Sequence, residues 1–187
     1  MTDVALHAAL PALAAVPWVR LGRWPTPVER IAQGGEVWVK REDQTALAYG
    51  GNKVRTLEAV LGRARAAGAT RIWATGAYGS NHVVATVIHA RAAGLDAGAI
   101  LFPQPPSEPA LANARAIVAA RPAIIAIPSV ALLPAAMLWQ RRTRGAYVMP
   151  PGGATPEGAL GALSAAFELA AQARAGALPW PRTLVVP

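Results

Sequence analysis

Short apolar runs alternate with longer segments of helical period along most of this chain, and that alternation admits few folds. The runs "EVWVK" (36–40), "RIWAT" (71–75), "AGAILF" (97–102), "AIIAI" (123–127), "AYVMP" (146–150) and "TLVVP" (183–187) read as strands. Between them, Asn52 can cap a helix whose apolar positions Val54, Leu57, Leu61 and Ala64 share one face until Gly68 ends it. A segment from about 81 to 93 is almost wholly apolar and closes at Gly94, so it is expected to be buried on several sides. Further helices are expected over 107–120, capped by Ser107, around 130–142, and over 157–174. Strands that alternate with helices of this length predict an α/β protein with parallel sheets and right-handed crossovers. Ligands of such sheets sit where a strand's carboxyl end turns into the next helix.

Composition narrows the function more than the fold. The 187 residues suffice for one ordinary domain or two small ones, and 53% hydrophobic against 15% charged residues describes a chain that buries a core. There is no cysteine, and His7, His82 and His89 are scattered, so neither disulfides nor a metal site are expected. The formal charge of +8 invites a nucleic-acid partner. Its arginines, however, are dispersed among alanines, and the one compact basic run, Arg141, Arg142 and Arg144, has no interleaved aromatics, so no nucleic-acid partner is expected. Asp3 and Pro11 read against a secretory signal in "MTDVALHAALPALAAV". The apolar stretch 122–139 carries prolines at 122, 128 and 134, which break any single span. It is expected to form a buried strand, a turn and a buried helix, with no membrane partner.

Two turns carry chemistry. In "YGGNKVR" (49–55) stands one of only two lysines, Lys40 and Lys53, in a chain that otherwise uses arginine for every basic position. Guanidinium serves wherever a permanent charge is enough, so a retained lysine points to a use for the amine itself. Lys53 falls at a helix N-terminus, a poor place for an ammonium and a good one for an anion. A neutral amine beside an anion-binding turn suits condensation with an aldehyde cofactor, although an ordinary exposed lysine fits the local sequence as well.

The second turn, "GAYGSNH" (76–82), opens the next helix, so the backbone N–H groups of Ser80, Asn81 and His82 can hold a carboxylate or phenolate oxygen. Asn81 can hydrogen-bond a ring hydroxyl, and Ser80 can donate to a substrate or move a proton. Simple capping would also account for Ser80 and Asn81, and a core position for His82. "PPGGATPEGALG" (150–161) makes a third Gly-rich turn before a helix.

Together, "VKREDQTALAYGGNKVRTLE", "GAYGSNH" and "VMPPGGATPEGALGA" resemble, in order and spacing, the D-cysteine desulfhydrase and 1-aminocyclopropane-1-carboxylate deaminase family. The resemblance runs from about Trp38 to the end of the chain and implies a three-layer α/β/α protein of the tryptophan-synthase-β type that uses pyridoxal phosphate. It implies that Lys53 holds the cofactor and then removes the substrate's α-proton. By the same resemblance Asn52 and Asn81 lie on the cofactor, and Ser80, Asn81 and His82 face the substrate, with Ser80 also catalytic. The implied reaction is β-elimination from a small amino acid, giving a keto acid, ammonia and sulfide. Alternatives are ring-opening deamination, racemisation, or a short paralogue that serves as a binding or assembly module. A cytoplasmic homodimer is implied for the complete protein.

Three departures stand out. Thr56 replaces the second lysine the family commonly carries one turn after the first, and Val84 and Ala85 follow His82 where an arginine and a glutamine are usual. The family's phosphate-cradling loop would follow "TLVVP", beyond Pro187. The expectation is therefore an N-terminal part: residues 1–54 and 158–187 from a large cofactor domain, and 55–157 as a small α/β domain.

Overall fold

The computed structural model describes residues 5–32 and 35–186. A short helix α1 (Ala5–Ala9) and a 3₁₀ turn (Pro11–Ala15) lead to an antiparallel ribbon of β1 (Val28–Arg30) and β2 (Trp38–Lys40), with Glu29 opposite Val39. Then follow α2 (Lys53–Ala66), β3 (Arg71–Ala77), α3 (Asn81–His89), β4 (Asp96–Phe102), α4 (Glu108–Ala119), β5 (Ala123–Ala126), α5 (Leu133–Arg141), β6 (Ala146–Val148) and α6 (Pro156–Arg174). Strands β3 to β6 form one parallel sheet in the order β5-β4-β3-β6.

Alternation along β3 sorts the layers, because successive side chains leave opposite faces. Ile72 and Ala74 join a core with Leu57 and Leu61 of α2, Val83 and Val87 of α3, and Ile117 of α4. Trp73 points the other way, into a smaller core with Ile100, Val148, and Leu133, Ala136 and Met137 of α5. The result is the expected α/β/α sandwich. Helix α3 is buried over most of its length, as its sequence predicts, and ends at His89; a 3₁₀ turn then closes at Gly94 (φ +73).

Three expectations need correction. "EVWVK" is not part of the parallel sheet: its last three residues pair with β1, a partner whose sequence, Val-Glu-Arg, gives no strand signal. "TLVVP" forms no strand over 183–186, where Leu184, Val185 and Val186 are 64%, 84% and 78% exposed; Pro187 lies outside the described residues. No ladder partner lies beside it among the described residues, and an extended segment without one has nothing to satisfy its backbone but water. The stretch 122–139 does break into strand, turn and helix, yet neither element is fully buried. Strand β5 is at the sheet's edge, and α5 covers the sheet with one face while Leu138 and Trp139 stay exposed. Among the described residues no helix is long and apolar enough to cross a membrane.

Helix α2 is enclosed on nearly every side from Val54 to Gly62, which its one-face pattern does not foretell, and is exposed only in its last turn. Helix α6 crosses it closely: a Cβ on Gly161 would lie 2.6 Å from the Thr56 nitrogen, so only glycine admits the two backbones. The segment 18–24, which has no regular structure, is held to α2 by buried Glu58. That carboxylate accepts from Trp18 Nε1 (2.7 Å), Leu21 N (2.8 Å), Gly22 N (2.9 Å) and Trp24 Nε1 (2.9 Å).

Candidate active site

The chain lays down β3, β4 and β5 in one direction and then returns to place β6 on the free side of β3. The winding reverses there, and the crevice outside the carboxyl ends of such strands is where open α/β sheets take ligands. The turns after β3 (78–80) and after β6 (149–155) flank that reversal. They are the second and third Gly-rich turns of the sequence.

The first turn is brought to the same place by hydrogen bonds. Gly51 has φ +132, and the Thr45 hydroxyl both accepts from its N–H (2.8 Å) and donates to its carbonyl (3.1 Å). His89, at the far end of α3, donates from Nε2 to the Tyr49 carbonyl (2.9 Å). At the near end the Tyr49 hydroxyl donates to Asn81 Oδ1 (3.1 Å). Both ends of α3 thus grip the residue that opens "YGGNK".

Lys53 is the first residue of α2, half-buried, and its amine has no hydrogen bond or ion pair among the described residues. The other lysine is fully engaged. Lys40 Nζ donates to Glu168 (2.6 Å), Gln172 (2.8 Å) and the Thr26 carbonyl (3.3 Å). Lys40 is therefore structural, and Lys53 is the lysine left with an uncommitted amine.

The remaining predicted residues are placed unevenly. Asn52 is exposed and already has helical backbone angles, so its side chain does not make the expected cap. Ser80 does cap α3, its Oγ accepting from Val83 N at 3.4 Å, which leaves the O–H free to donate. His82 is buried, 3% exposed, and neither ring nitrogen has a hydrogen-bond partner among the described residues. It lies against the β6 turn: Gly153 has φ +71, and a Cβ there would come within 2.8 Å of His82 Cε1.

Burial, with the nearby Lys53 charge adding to it, lowers the His82 pKa from 6.5 to about 4. The imidazole is therefore neutral at ordinary pH. A depressed histidine pKa means the unfolded chain binds the extra proton first, so its contribution is complete above pH 6.5 and is lost as pH falls towards 4. The loss is expected to be about 3 kcal/mol. Urea midpoints should fall across that window in the parent protein, and His82→Gln should flatten the slope.

The site suits an aldehyde-bearing, anionic aromatic cofactor. It offers an uncommitted amine, an asparagine amide and the N–H groups that open α3, beside a buried imidazole whose two nitrogens have no hydrogen-bond partner among the described residues. A cavity of about 450 Å³ lies elsewhere, bordered by Trp18, Trp24, Glu58 and Glu168 but by none of the turn residues. Sequence reading missed Thr45, Tyr49, His89 and Asn113 as supports of the site. Only Tyr49 carried a signal, its adjacency to the Gly-Gly pair.

A parallel α/β sheet that presents an uncommitted lysine amine and a helix N-terminus near its winding reversal has the parts that lysine-based cofactor enzymes use. The chain belongs, more narrowly, to the pyridoxal-phosphate dependent enzyme family, whose model it matches over residues 19–187. It is 39% identical over 186 residues to nocardicin C-9' epimerase of Nocardia uniformis subsp. tsuyamanensis, covering 94% of this chain and 56% of the relative. Identity is 35% over 169 residues to a putative 1-aminocyclopropane-1-carboxylate deaminase of Pyrococcus horikoshii, with 86% and 52% covered. It is 34% over 176 residues to D-cysteine desulfhydrase of Klebsiella pneumoniae subsp. pneumoniae, with 86% and 53% covered. A crystal structure of an ACC deaminase homologue superposes with a TM-score of 0.74 at 33% identity, covering 91% of this chain and 55% of the other. The chain spans about half the length of the curated relatives it matches.

Proposed function

We propose that this chain supplies the lysine half of the active site in a pyridoxal-phosphate lyase that acts on a small amino acid by β-elimination, in the manner of D-cysteine desulfhydrase. The observation that carries the reading is the uncommitted Lys53 amine beside a turn whose Asn81 is bonded to Tyr49, four residues before the lysine. Residues 55–157 form the small domain, and 1–54 with 158–187 belong to the large one. The complete protein is a cytoplasmic homodimer.

Pyridoxal phosphate, when bound, supplies the electron sink that makes loss of an α-proton feasible. Lys53 would hold the cofactor, with Asn52 and Asn81 beside it. Its nitrogen, released from that bond when the substrate's own amino group engages, would be free to accept the α-proton. The first N–H groups of α3 and the Ser80 hydroxyl hold the substrate carboxylate, fixing the Cα–H bond towards the amine. Neutral His82 beside Lys53 adds no competing positive charge. In balance, D-cysteine and water give keto acid, ammonia and hydrogen sulfide, the Cβ–S electron pair leaving with sulfur.

Epimerisation is the second reading, favoured by the 39% identity to an epimerase. It shares the α-proton step and differs in returning the proton to the opposite face. With the full polypeptide that carries this chain, pyridoxal phosphate is expected to give a visible absorbance band that Lys53→Ala abolishes, with turnover lowered by about 10²–10⁴-fold or more. Absence of the band in the parent protein would refute the cofactor assignment. Sulfide from D-cysteine supports elimination. Deuterium uptake at Cα without sulfide selects epimerisation, and keto acid only from 1-aminocyclopropane-1-carboxylate selects ring opening.

A further inference from the structure

The orientation of the Asn81 amide is fixed by groups that leave no choice. The Gly79 carbonyl can only accept a hydrogen bond, and Asn113 of α4 meets it at 2.8 Å, so the Asn113 NH₂ group must point there. Asn113 reaches this carbonyl because the turn lies directly on α4: a Cβ on Gly79 would be 2.7 Å from Ala110 Cα, one helical turn before Asn113. The same NH₂ group has a second hydrogen, directed at Asn81, 2.7 Å away. The atom that receives it must be an acceptor, so it is Asn81 Oδ1. The Tyr49 hydroxyl at 3.1 Å donates to that oxygen as well. Burial raises the Tyr49 pKa, which keeps this donor protonated. With two donors on Oδ1, the NH₂ of Asn81 is the end left without a partner among the described residues.

We propose that Asn113 and Tyr49 are positioning residues that hold the Asn81 amide with its oxygen turned back to the protein and its NH₂ presented as a donor to the anionic oxygen of the bound ligand. The proposal rests on the cofactor assignment above and deepens it. An unrestrained asparagine can offer either end, and its oxygen would repel a phenolate. Here a backbone carbonyl, acting through α4, selects the donor end before any ligand arrives. Tyr49 adds a link to the lysine turn, so Asn81 and Lys53 are set relative to each other by one bonded chain.

Two readouts test this on the full polypeptide. Without cofactor, side-chain NMR should show the Asn113 NH₂ protected from solvent exchange and the Asn81 NH₂ exchanging freely. In Asn113→Asp, whose carboxylate only accepts, the Asn81 NH₂ should become the protected one. With cofactor, an N–H donor on the phenolate oxygen favours its unprotonated form, so losing that donor should move the pH midpoint of the visible band upward. The expected shift is about one unit, a tenfold change in proton affinity, in Asn113→Asp, and a smaller one in Asn113→Ala. In an Asn81→Ala background, Asn113→Asp should shift the midpoint no further, since the two act as one unit. A freely exchanging Asn113 amide in the parent protein overturns the proposal, as does a midpoint that Asn113→Asp leaves in place. A missing band instead overturns the cofactor assignment, and the amide measurements still decide the clamp.

Discussion

Glu58→Ala is expected to lower folding stability by about 3–5 kcal/mol, a large share of the roughly 5–15 kcal/mol that holds an ordinary domain together. The reason is arithmetic on donors. Glu58 is 2% exposed and accepts from two backbone N–H groups and two indole N–H groups of the segment 18–24. That segment has no ladder or helix of its own to satisfy these groups, so alanine leaves several of them without an acceptor at once; the Gly22 N–H is buried and the other three are partly buried, which puts the cost of each towards the lower end of about 1–3 kcal/mol. Glu58→Gln keeps the shape but turns an NH₂ group towards donors, and should be only moderately less harmful. Urea unfolding followed by tryptophan fluorescence checks both variants, because Trp18 and Trp24 report on the segment that is released. An unchanged midpoint in Glu58→Ala would show that the segment does not depend on this carboxylate.

Glu168→Ala should be comparably damaging, by about 3–5 kcal/mol, for an electrostatic reason. Arg55 is 3% exposed, with its guanidinium shared between Glu42 (2.6 and 2.8 Å) and Glu168 (2.8 and 3.2 Å) and lying 3.9 Å over the Trp24 ring. Lys40 completes the cluster on Glu168. Two cations face two carboxylates, so removing one carboxylate leaves an excess positive charge in a buried place. Burial works against the charge on Glu168, but hydrogen bonds from Arg55 and Lys40 outweigh it and hold its carboxyl below the usual range. Burial, with the neighbouring Arg55 charge, lowers the Lys40 pKa against the opposing pull of Glu168 and Glu42, while Arg55 keeps its charge at any working pH. Arg55 stands two residues after Lys53, so the variant should weaken cofactor binding as well as folding. Thermal unfolding with and without pyridoxal phosphate separates the two effects, and a stability equal to that of the parent would refute this account of the cluster.

Much of the fold was legible because the sequence agrees with itself. The period-2 and period-3.6 segments, Gly94, and the caps at Ser80 and Ser107 all act locally, and the structure keeps them. What was hidden depends on partners distant in sequence. No pattern in "VER" announces β1, since a ribbon strand is defined by what lies across from it. Arg55 and Glu58 sit on faces of α2 that look solvated, and partners distant in sequence enclose them: Glu42, Thr26 and Glu168 of α6 around Arg55, and the segment 18–24 around Glu58. The strand order is equally unreadable, so the three Gly-rich turns could be recognised but not assembled. Asn113 lies in an alanine-rich helix where nothing local sets it apart. "TLVVP" failed for the opposite reason: its composition is right for a strand, and no neighbour lies beside 183–186 among the described residues.

The contact between Gly153 and His82 reaches beyond the two residues. Any side chain at 153 would need a disfavoured backbone angle and would run into the imidazole, so the loops on either side of the sheet's reversal are keyed to each other. Reshaping one of them to admit a bulkier compound obliges the other to be redrawn in the same step, and libraries that vary a single loop will return mostly misfolded variants.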